Sequence, residues 1–411
     1  MKKRGNCFAI IGLTVIVFFS CVDKHEKKTI GNTAAAEQVM ENVIGNTAIT
    51  EQVMEEIILY PLEINGKEGF INQFGTLVVE PQFHRAFKSE CGVAAGMEGG
   101  ISYYLDTDGN ILFYFENHGR WPHSFSDDLL RKYLTDNEQG GGFVDKFGNF
   151  VIPPMYRKVE DFSEGLAFVT DYGGESYYIN KKNERVFGDQ TFYLGDLFHN
   201  GYAFVRKRIF EDRYILREAD GSQYLERLFG SFGGIIDNQG QLIIPYVLGS
   251  NTIYSDGLFA TSYNSIDNTD NIDNIDNIDN IIINKITKTK MLYINVRNEI
   301  VIGPQFIYAY EFVDGIAVAS LDGKTYGLIN KQGEFVVPPK YIELRTRSNG
   351  LFHFSTDGEK FGFMDEKENI VIPADFDFAN SFQGPLAFIR KGDVPGYVNK
   401  QGEVFLATDY E

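Results

Sequence analysis

The side chains that most often perform chemistry are scattered along this chain. Neither a His-Glu-x-x-His run nor Cys and His at zinc-ligand spacing occurs, and no nucleophile elbow or phosphate-binding glycine loop is found. Acidic residues are too numerous for a glycosidase-type pair to be singled out. We therefore expect no enzyme activity, no cofactor and no metal site. The six histidines are His25, His84, His118, His123, His199 and His353.

Two short segments come closest to a ligand site. The run from His118 to His123 contains the single tryptophan, Trp121, and is interpreted as a loop capping the fold, with ligand binding by an exposed aromatic or a metal site as alternatives. Asp106-Thr-Asp108-Gly109 looks like the start of a calcium loop, but no downstream Glu follows. A plain turn is the preferred interpretation of that second segment.

A third acidic segment is of low complexity. Residues 265–280 repeat an Ile-Asp-Asn triplet, and such a run cannot bury enough apolar surface to pack. Its carboxylates could collect Ca²⁺, yet the spacing of a calcium loop is missing. We expect a solvated loop.

The elements that position these side chains come from a repeated pattern. Two or three apolar residues precede an Asn or Asp, then two variable residues, a Gly or a polar substitute, and a second apolar run. Successive copies are mostly 34 to 39 residues apart, with two intervals of 57 and 58 that carry insertions. The nine Asn/Asp positions are Asn72, Asp106, Asp145, Asn180, Asp237, Asn295, Asn330, Asp365 and Asn399.

Each copy predicts a β-hairpin. The Asn or Asp side chain can bond the backbone two residues on, and Gly three residues later accepts the left-handed conformation of a type I turn with a G1 bulge. The second strand then meets a proline, which cannot donate to a ladder and is predicted to end it. The turn glycines are Gly75, Gly109, Gly148, Gly240, Gly333 and Gly402, and the prolines are Pro81, Pro153, Pro245, Pro304, Pro338 and Pro373.

A third strand completes the unit. Segments such as Phe162-Ser-Glu-Gly-Leu-Ala-Phe-Val169 alternate apolar and smaller residues after a Gly, as a half-buried strand does. A three-stranded meander of about 35 residues is too small to fold alone and must bury its apolar face on its neighbours. The fold class predicted is all-β, a tandem array of three-stranded antiparallel meanders, either a closed propeller-like ring or an open superhelix.

The pattern resembles the WG-repeat proteins of bacteria from about residue 65 to the end. In that family Trp-Gly-aromatic-Ile-Asn/Asp-x-x-Gly is followed by Val/Ile-x-Pro-x-Tyr and Phe-x-x-Gly-x-Ala-x-Val. The Gly, Asn/Asp and Pro positions match, whereas the Trp slot holds Tyr326, Phe361, Glu68, Gly141, Gly233 and Pro395. The resemblance implies a β-propeller-like or superhelical β-repeat and carries over no catalytic residues.

The N-terminus has the layout of an export signal. Three basic residues precede a 12-residue apolar run, Phe8 to Phe19, which is too short to cross a membrane as a helix. Ser20-Cys21 resembles the lipobox of bacterial lipoproteins, which implies a lipid on Cys21; an export signal without lipidation is the alternative. We expect a signal peptide over 1–20, a lipid-anchored linker over 21–60 and the repeat domain over 61–411.

Within these domains the sequence predicts further detail. A 14-residue duplication over residues 31–58 places apolar pairs at helical spacing and predicts two short helices. They are interpreted as a spacer, with a partner-binding or self-associating role as the alternative. Insertions are predicted at 114–140, 206–232 and 246–290.

Charge restricts the partners. The chain carries 57 acidic and 38 basic side chains, a net charge of −19, and such a surface repels nucleic acid and anionic headgroups. We expect an exported, lipid-anchored protein of the cell envelope, at the outer membrane or cell surface, that binds a protein or glycan partner or acts as a scaffold. The alternatives are an enzyme with a site at the centre or rim of a propeller, and a self-associating structural component.

Overall fold

The computed structural model describes residues 56–116, 121–134, 140–216, 223–248, 254–262 and 290–411. Almost all regular structure in these residues is β-strand, and the strands form nine small antiparallel sheets that follow one another in chain order. The sheets are the blades of a nine-bladed β-propeller arrangement. The all-β prediction is confirmed.

Most blades have four strands. Blade 1 contains β1 (Leu59–Ile64), β2 (Lys67–Asn72) and β3 (Leu77–Phe83). Blade 2 contains β4 (Arg85–Glu90), β5 (Val93–Glu98), β6 (Ile101–Leu105) and β7 (Ile111–Glu116). Blade 3 contains β8 (Leu130–Tyr133), β9 (Gly141–Val144) and β10 (Phe150–Tyr156). Blade 4 contains β11 (Lys158–Val159), β12 (Leu166–Thr170) and β13 (Ser176–Asn180). Blade 5 contains β14 (Leu194–Gly195), β15 (Tyr202–Leu216), β16 (Gln223–Asp237) and β17 (Leu242–Leu248). Blade 6 contains β18 (Tyr254–Ser255), β19 (Leu258–Ser262), β20 (Met291–Ile294) and β21 (Ile300–Phe306).

The last three blades are the most regular. Blade 7 contains β22 (Tyr308–Ala309), β23 (Ala317–Ser320), β24 (Tyr326–Ile329) and β25 (Phe335–Tyr341). Blade 8 contains β26 (Glu343–Leu344), β27 (Phe352–Ser355), β28 (Phe361–Met364) and β29 (Ile370–Phe376). Blade 9 contains β30 (Phe378–Ala379), β31 (Leu386–Lys391), β32 (Val394–Asn399) and β33 (Val404–Leu406). A short 3-10 helix, η1 (Ala407–Tyr410), follows.

The boundaries of the sequence repeat do not coincide with the boundaries of the blades. Six of the nine blades open with a strand of only two residues. In four of these, a single residue separates that strand from the last strand of the previous blade, as Ile307 separates β21 from β22. That short strand pairs with the strand that begins after Phe-x-x-Gly, as β22 pairs with β23. The predicted three-stranded meander is therefore divided between two blades, and the short strand raises most sheets to four strands.

The hydrophobic core lies between blades. The buried apolar residues form nine clusters, and each cluster joins residues of two adjacent blades, one for every junction of the ring. An aromatic pair packs at five junctions, joining the strand before an Asn/Asp turn in one blade to a Phe in the next. That Phe opens Phe-x-x-Gly at three junctions and the variants Phe125-Ser-Asp-Asp128 and Phe382-Gln-Gly-Pro385 at the other two. The pairs are Tyr104 with Phe125, Phe143 with Phe162, Tyr178 with Phe198, Tyr293 with Phe312, and Phe363 with Phe382.

The first and last blades meet, so the ring is closed rather than open. One of the nine clusters joins residues of β1 and β2 to residues of β31, β32 and η1. The Tyr397 hydroxyl donates to the carbonyl of Pro61 at 2.8 Å, and the Tyr410 hydroxyl donates to the carbonyl of Gly75 at 2.6 Å. The chain closes the ring by packing and side-chain hydrogen bonds, without exchange of a strand between the two blades.

The prolines do not end the strands, so that prediction was wrong. β29 runs from Ile370 to Phe376 through Pro373, and its pairing with β28 shifts register between Ile372 and Phe376. The proline lies in this bulge, where no ladder donor is needed. A Cβ added to Gly362 in β28 would lie 2.6 Å from the carbonyl oxygen of Ile372, which explains why Gly stands opposite the bulge.

The predictions for the N-terminal part of the chain fall almost entirely outside the described residues. The helices predicted within residues 31–58 lie outside the described residues except for 56–58, which belong to neither helix nor strand. The signal peptide and the linker up to residue 55 also lie outside them. In the part of the chain that the structure describes, no helix is long and apolar enough to span a membrane.

Replacement of Gly362 by alanine tests the close approach at the bulge. The new methyl group meets backbone atoms that cannot move as a side chain can, so we expect a loss of about 2 to 4 kcal/mol in the free energy of unfolding. Denaturant titration followed by tyrosine fluorescence measures it.

The matched control is Gly303→Ala. A Cβ at Gly303, in β21, would meet nothing within 4 Å, and this residue has no positive φ. We expect a change near zero or a gain of about 0.5 kcal/mol from reduced chain entropy in the unfolded state. Equal losses in the two variants would contradict the close-packing explanation.

Candidate functional site

The two ends of the blades differ. In a four-stranded blade, the turns that join the third strand to the fourth, and those that join the first strand to the second, lie at one end because antiparallel strands alternate in direction. The Asn/Asp turns of the three-stranded blades belong to the same end. We call this end the turn face. The opposite end, here called the loop face, carries the loops between the second and third strands and the connections between blades.

All nine predicted Asn/Asp positions lie in turns at the turn face. In each turn, the side-chain oxygen accepts hydrogen bonds from the backbone amides two and four residues later, as Asn330 does from Gln332 and Glu334 at 3.0 Å each. Gly333 has φ of +78°. The same pair of bonds occurs at Asn72, Asp106, Asp145, Asn180, Asp237, Asn295, Asp365 and Asn399.

A second set of turns was not recognised from the sequence. The third and fourth residues of Phe-x-x-Gly both have positive φ, for example Glu164 at +53° and Gly165 at +80°, as in a type I′ hairpin turn. The signal was present as Asp-Gly and Asn-Gly pairs between apolar residues. These turns connect neighbouring blades: the Ser163 hydroxyl donates to the carbonyl of Phe198 at 2.7 Å, and Glu164 accepts from the amide of Gly201 at 2.8 Å.

The turn face is therefore a chain of interlocked turns. Equivalent bonds are donated by the Ser126, Ser255 and Ser348 hydroxyls to the carbonyls of Phe162, Phe312 and Phe382. These contacts join the turns of neighbouring blades. They fit a structural role for the predicted turn positions rather than a ligand site.

The longer insertions join strand ends at the loop face. The insertion at 206–232 is a hairpin extension, since β15 and β16 each run for 15 residues. The segments 117–120, 135–139, 249–253 and 263–289 are outside the described residues. Of these, 135–139 and 263–289 join two strand ends at the loop face, whereas 117–120 and 249–253 follow the loop-face ends of β7 and β17. The triplet segment 265–280 lies within 263–289.

One groove carries several titratable side chains. It has a volume of about 410 Å³ and is lined by residues of blades 4, 5 and 6. The Tyr202 and Tyr254 rings pack edge to face with centroids 4.4 Å apart at its wall. The polar and aromatic lining comprises Glu160, Asp161, Asp196, His199, Tyr202 and Tyr254.

The carboxylates of this groove are partly neutralised by arginine. Burial raises the pKa of Asp161, an effect that Arg131 opposes and Glu160 reinforces. Burial also raises the pKa of Asp196, with Arg206 acting in the opposite direction. Arg131 donates a hydrogen bond to Glu160 at 2.9 Å and forms an ion pair with Asp161 at 3.1 Å, but Oδ1 of Asp161 accepts no hydrogen bond from the described residues. The groove can accept hydrogen bonds from a cationic or hydroxyl-bearing ligand.

The predicted aromatic loop is partly described. Trp121 is 62% exposed and packs edge to face on Phe87, with the Arg85 guanidinium 5.6 Å from its ring centroid. His123 accepts a hydrogen bond from Arg131 through Nδ1 at 3.1 Å. His118, the other end of the run, lies outside the described residues, as does Cys21. Among the described residues, no three or more His, Cys, Asp and Glu side chains come together as metal ligands.

His353 is the one histidine with an unusual setting among those described. It is 3% exposed, and its ring lies 5.2 Å from the ring of Phe361 and 5.7 Å from that of Phe363. Neither ring nitrogen has a hydrogen-bond partner among the described residues. Burial lowers its pKa to about 4, with a smaller opposing contribution from Glu343.

A family model matches five segments of the chain. The sequence model of the family described as "WG containing repeat" matches residues 69–100, 142–173, 293–324, 326–358 and 361–394. Each matched segment starts near the penultimate strand of one blade and ends beyond the second strand of the next. This agrees with the offset between sequence repeat and blade.

No curated protein matches the chain. Among solved structures, the chain is similar to an initiation factor described as eukaryotic, with 12% identity over 85% of this chain and 95% of that one and a TM-score of 0.46. It is also similar to the computationally designed Ika8 protein (9% identity, 78% and 94%, TM-score 0.40). BamB from Moraxella catarrhalis gives 9% identity, 74% and 89% coverage, and a TM-score of 0.38.

The buried His353 predicts a pH dependence of stability. Its pKa is lowered from 6.5 to about 4 in the folded chain, so between these values the unfolded chain binds the additional proton. The folded state should therefore lose about 3 kcal/mol relative to a His353→Phe variant as the pH falls from 6.5 to 4. Below about pH 4 the difference stops growing.

Denaturant titrations of both chains over this pH range measure the effect. Carboxylates titrate in the same window and contribute equally to both chains, so the difference between them isolates the histidine. Phe is the matched replacement because Phe168, Phe204 and Phe388 occupy the corresponding strand position in other blades. Parallel pH profiles for the two chains would contradict the prediction.

Proposed function

We propose that this protein is an exported, lipid-anchored binding or scaffolding module of the cell envelope, and that its loop face contacts a protein or glycan partner. The observation that supports this is the position of the longer insertions. The extension of β15 and β16 and the segments 135–139 and 263–289 join strand ends at the loop face, while the turns of the turn face bond to one another. In repeat proteins, insertions confined to one face commonly form the binding face. The repeat architecture supports an extended surface of this kind.

The proposal includes no catalytic activity, although one observation favours the enzyme alternative. The groove of blades 4 to 6 holds Asp161 and Asp196 with raised pKa values, which is the kind of setting in which acid or base catalysts are found. Burial of the two carboxyl groups is by itself the main cause of both raised pKa values, and Arg131 and Arg206 oppose it, so the shifts do not require a catalytic role. We therefore place partner binding first.

Deletion of the loop-face insertions tests the binding proposal. Because residues 121–134 contain β8 and a turn, only 117–120 and 135–139 are replaced by short linkers, and 263–289 is replaced separately. Crosslinking in intact cells followed by pull-down should recover the partner with the wild-type chain and lose it with at least one of these variants.

The matched control is at the other end of the blades. Phe147, in the turn after Asp145, is 60% exposed on the turn face, and Phe147→Ser should leave partner capture unchanged. Capture that survives all loop replacements and is lost in Phe147→Ser would place the contact on the turn face.

The anchor is tested separately. Cys21→Ala should abolish incorporation of radioactive fatty acid, since the thiol is the proposed acylation site, whereas Cys7→Ala within the leader should leave labelling intact. Labelling and fractionation of cells that express each variant measure this. Continued labelling of Cys21→Ala would show that the lipid is elsewhere or that retention has another cause.

A further inference from the structure

A second pocket lies at the junction where the ring closes. It has a volume of about 250 Å³ and is lined by residues of blades 9, 1 and 2. In blade 1, β1 takes the place of a second strand, since Leu59 lies opposite Asn72 as Leu166 lies opposite Asn180 in blade 4. Among the described residues, blade 1 thus has no strand in the first position, and the pocket lies beside the edge where that strand would pair.

At the pocket, the edge of β1 is not available to a further strand. Pro61 has no amide hydrogen, and its carbonyl accepts from the Tyr397 hydroxyl at 2.8 Å. In blade 4 the carbonyl at the equivalent position, that of Phe168, accepts from an amide that follows the first strand. The amide of Leu59 donates to Oγ of Ser89 at 2.8 Å. A ligand of this pocket must therefore be held by side chains and ring faces rather than by strand pairing.

Aromatic rings form the apolar part of the lining. Phe87 of blade 2 and Phe388 of blade 9 are half-buried, so each ring keeps an accessible part. Phe388 packs edge to face on Tyr397, with ring centroids 5.5 Å apart. Tyr60, which also lines the pocket, donates its hydroxyl to the carbonyl of Gln383 at 2.8 Å. These contacts hold the rings in place without a ligand.

The polar part of the lining is neutral. Asn380, Ser381 and Gln383 contribute two amides and a hydroxyl, and none of these side chains makes a hydrogen bond to the described residues. The ammonium group of Lys88 is paired with Glu90 at 2.7 Å. Amides and hydroxyls both donate and accept hydrogen bonds, as the hydroxyl groups of a sugar do.

The equivalent place in blade 5 has a different charge. The amide of Asn380 donates to the carbonyl of Phe388, as the amide of Asp196 donates to that of Phe204, so Asn380 and Asp196 occupy matching positions. Asp196 belongs to the carboxylate-lined groove of blades 4 to 6, whereas the described residues that line the pocket at the ring closure include no carboxylate. The groove suits a cation, and the pocket suits a neutral ligand rich in hydroxyl groups.

Trp121 extends the aromatic surface beyond the pocket. Its exposed ring packs edge to face on Phe87, with centroids 5.7 Å apart, so Phe87 joins the pocket to a second ring. The face of an aromatic ring carries negative partial charge. The C–H groups on one side of a pyranose are polarised by the neighbouring oxygens and pack on such a face, while the hydroxyl groups bond to amides.

We propose that the pocket and Trp121 together bind a neutral glycan, with one sugar ring against Phe87 and Phe388 and the next on Trp121. Asn380 and Gln383 hydrogen-bond the hydroxyl groups of the first sugar. The volume of about 250 Å³ lies below that of pockets for drug-sized ligands and suits a single ring. This site is independent of the loop-face contact, and failure of either proposal leaves the other standing.

The single tryptophan of the chain reports directly on this site. Short oligosaccharides of glucose, mannose, galactose and N-acetylglucosamine are titrated into the full chain while tryptophan emission is followed. We expect a saturable change with at least one series, because a sugar on Trp121 displaces water from the ring. The absence of saturable binding to every series, in emission and in calorimetry, would overturn the proposal.

Phe388→Leu tests the pocket. It removes a ring face but keeps an apolar side chain, so affinity for the bound oligosaccharide should fall about tenfold. Phe168→Leu is the matched control, since it makes the same change at the corresponding strand position of blade 4, away from the pocket. Its affinity should equal that of the wild type, with denaturant titration showing that both variants are folded. Equal losses of affinity in the two variants would overturn the assigned site.

Trp121→Ala separates the two parts of the site. In calorimetry it should weaken oligosaccharide binding about tenfold, and in saturation-transfer NMR it should leave binding of the single sugar unchanged. An unchanged oligosaccharide affinity would overturn the assignment of Trp121. Binding that appears only after removal of residues 22–55 would overturn the proposal for the full chain, because that segment would then be the occupant of the pocket.

Discussion

The contact between the apolar faces of adjacent blades is the interaction on which the whole structure depends. A blade of three or four short strands has two faces, and almost every buried side chain in the described residues belongs to a cluster shared with a neighbour. A small sheet with no core of its own cannot be stable alone, so each blade is stabilised by the two beside it. Closure of the ring follows, because an open array would leave two such faces in water.

Hydrogen bonds between turns hold adjacent blades in position once their apolar faces have packed. At the turn face, side chains of one turn bond the backbone of the next blade, as the Ser163 hydroxyl does at Phe198. Single-residue connections such as Ile307 leave little freedom between one blade and the next. The regular turn face thus leaves the loop face as the place where chain can be added without disturbing a junction, and the extension of β15 and β16 lies there.

Much of the fold could be predicted from local chemistry. An Asn such as Asn330, followed three residues later by Gly333, specifies its turn through bonds within five residues, so the pattern alone was sufficient. The prolines were misjudged because the effect of Pro373 depends on a bulge and on Gly362 in the facing strand, which are separated in sequence. The groove was missed for a similar reason: Glu160, Asp196 and Tyr254 come from three blades, and no spacing relates them.

The offset between the sequence repeat and the blade has a consequence for how such rings change size. Each repeat spans the end of one blade and the start of the next, and therefore encodes both sides of a junction within one continuous piece of chain. Unequal recombination that gains or loses one repeat would add or remove a junction whose two surfaces already match. Copy number in this architecture can thus drift during evolution while every interior contact stays between surfaces that were inherited together.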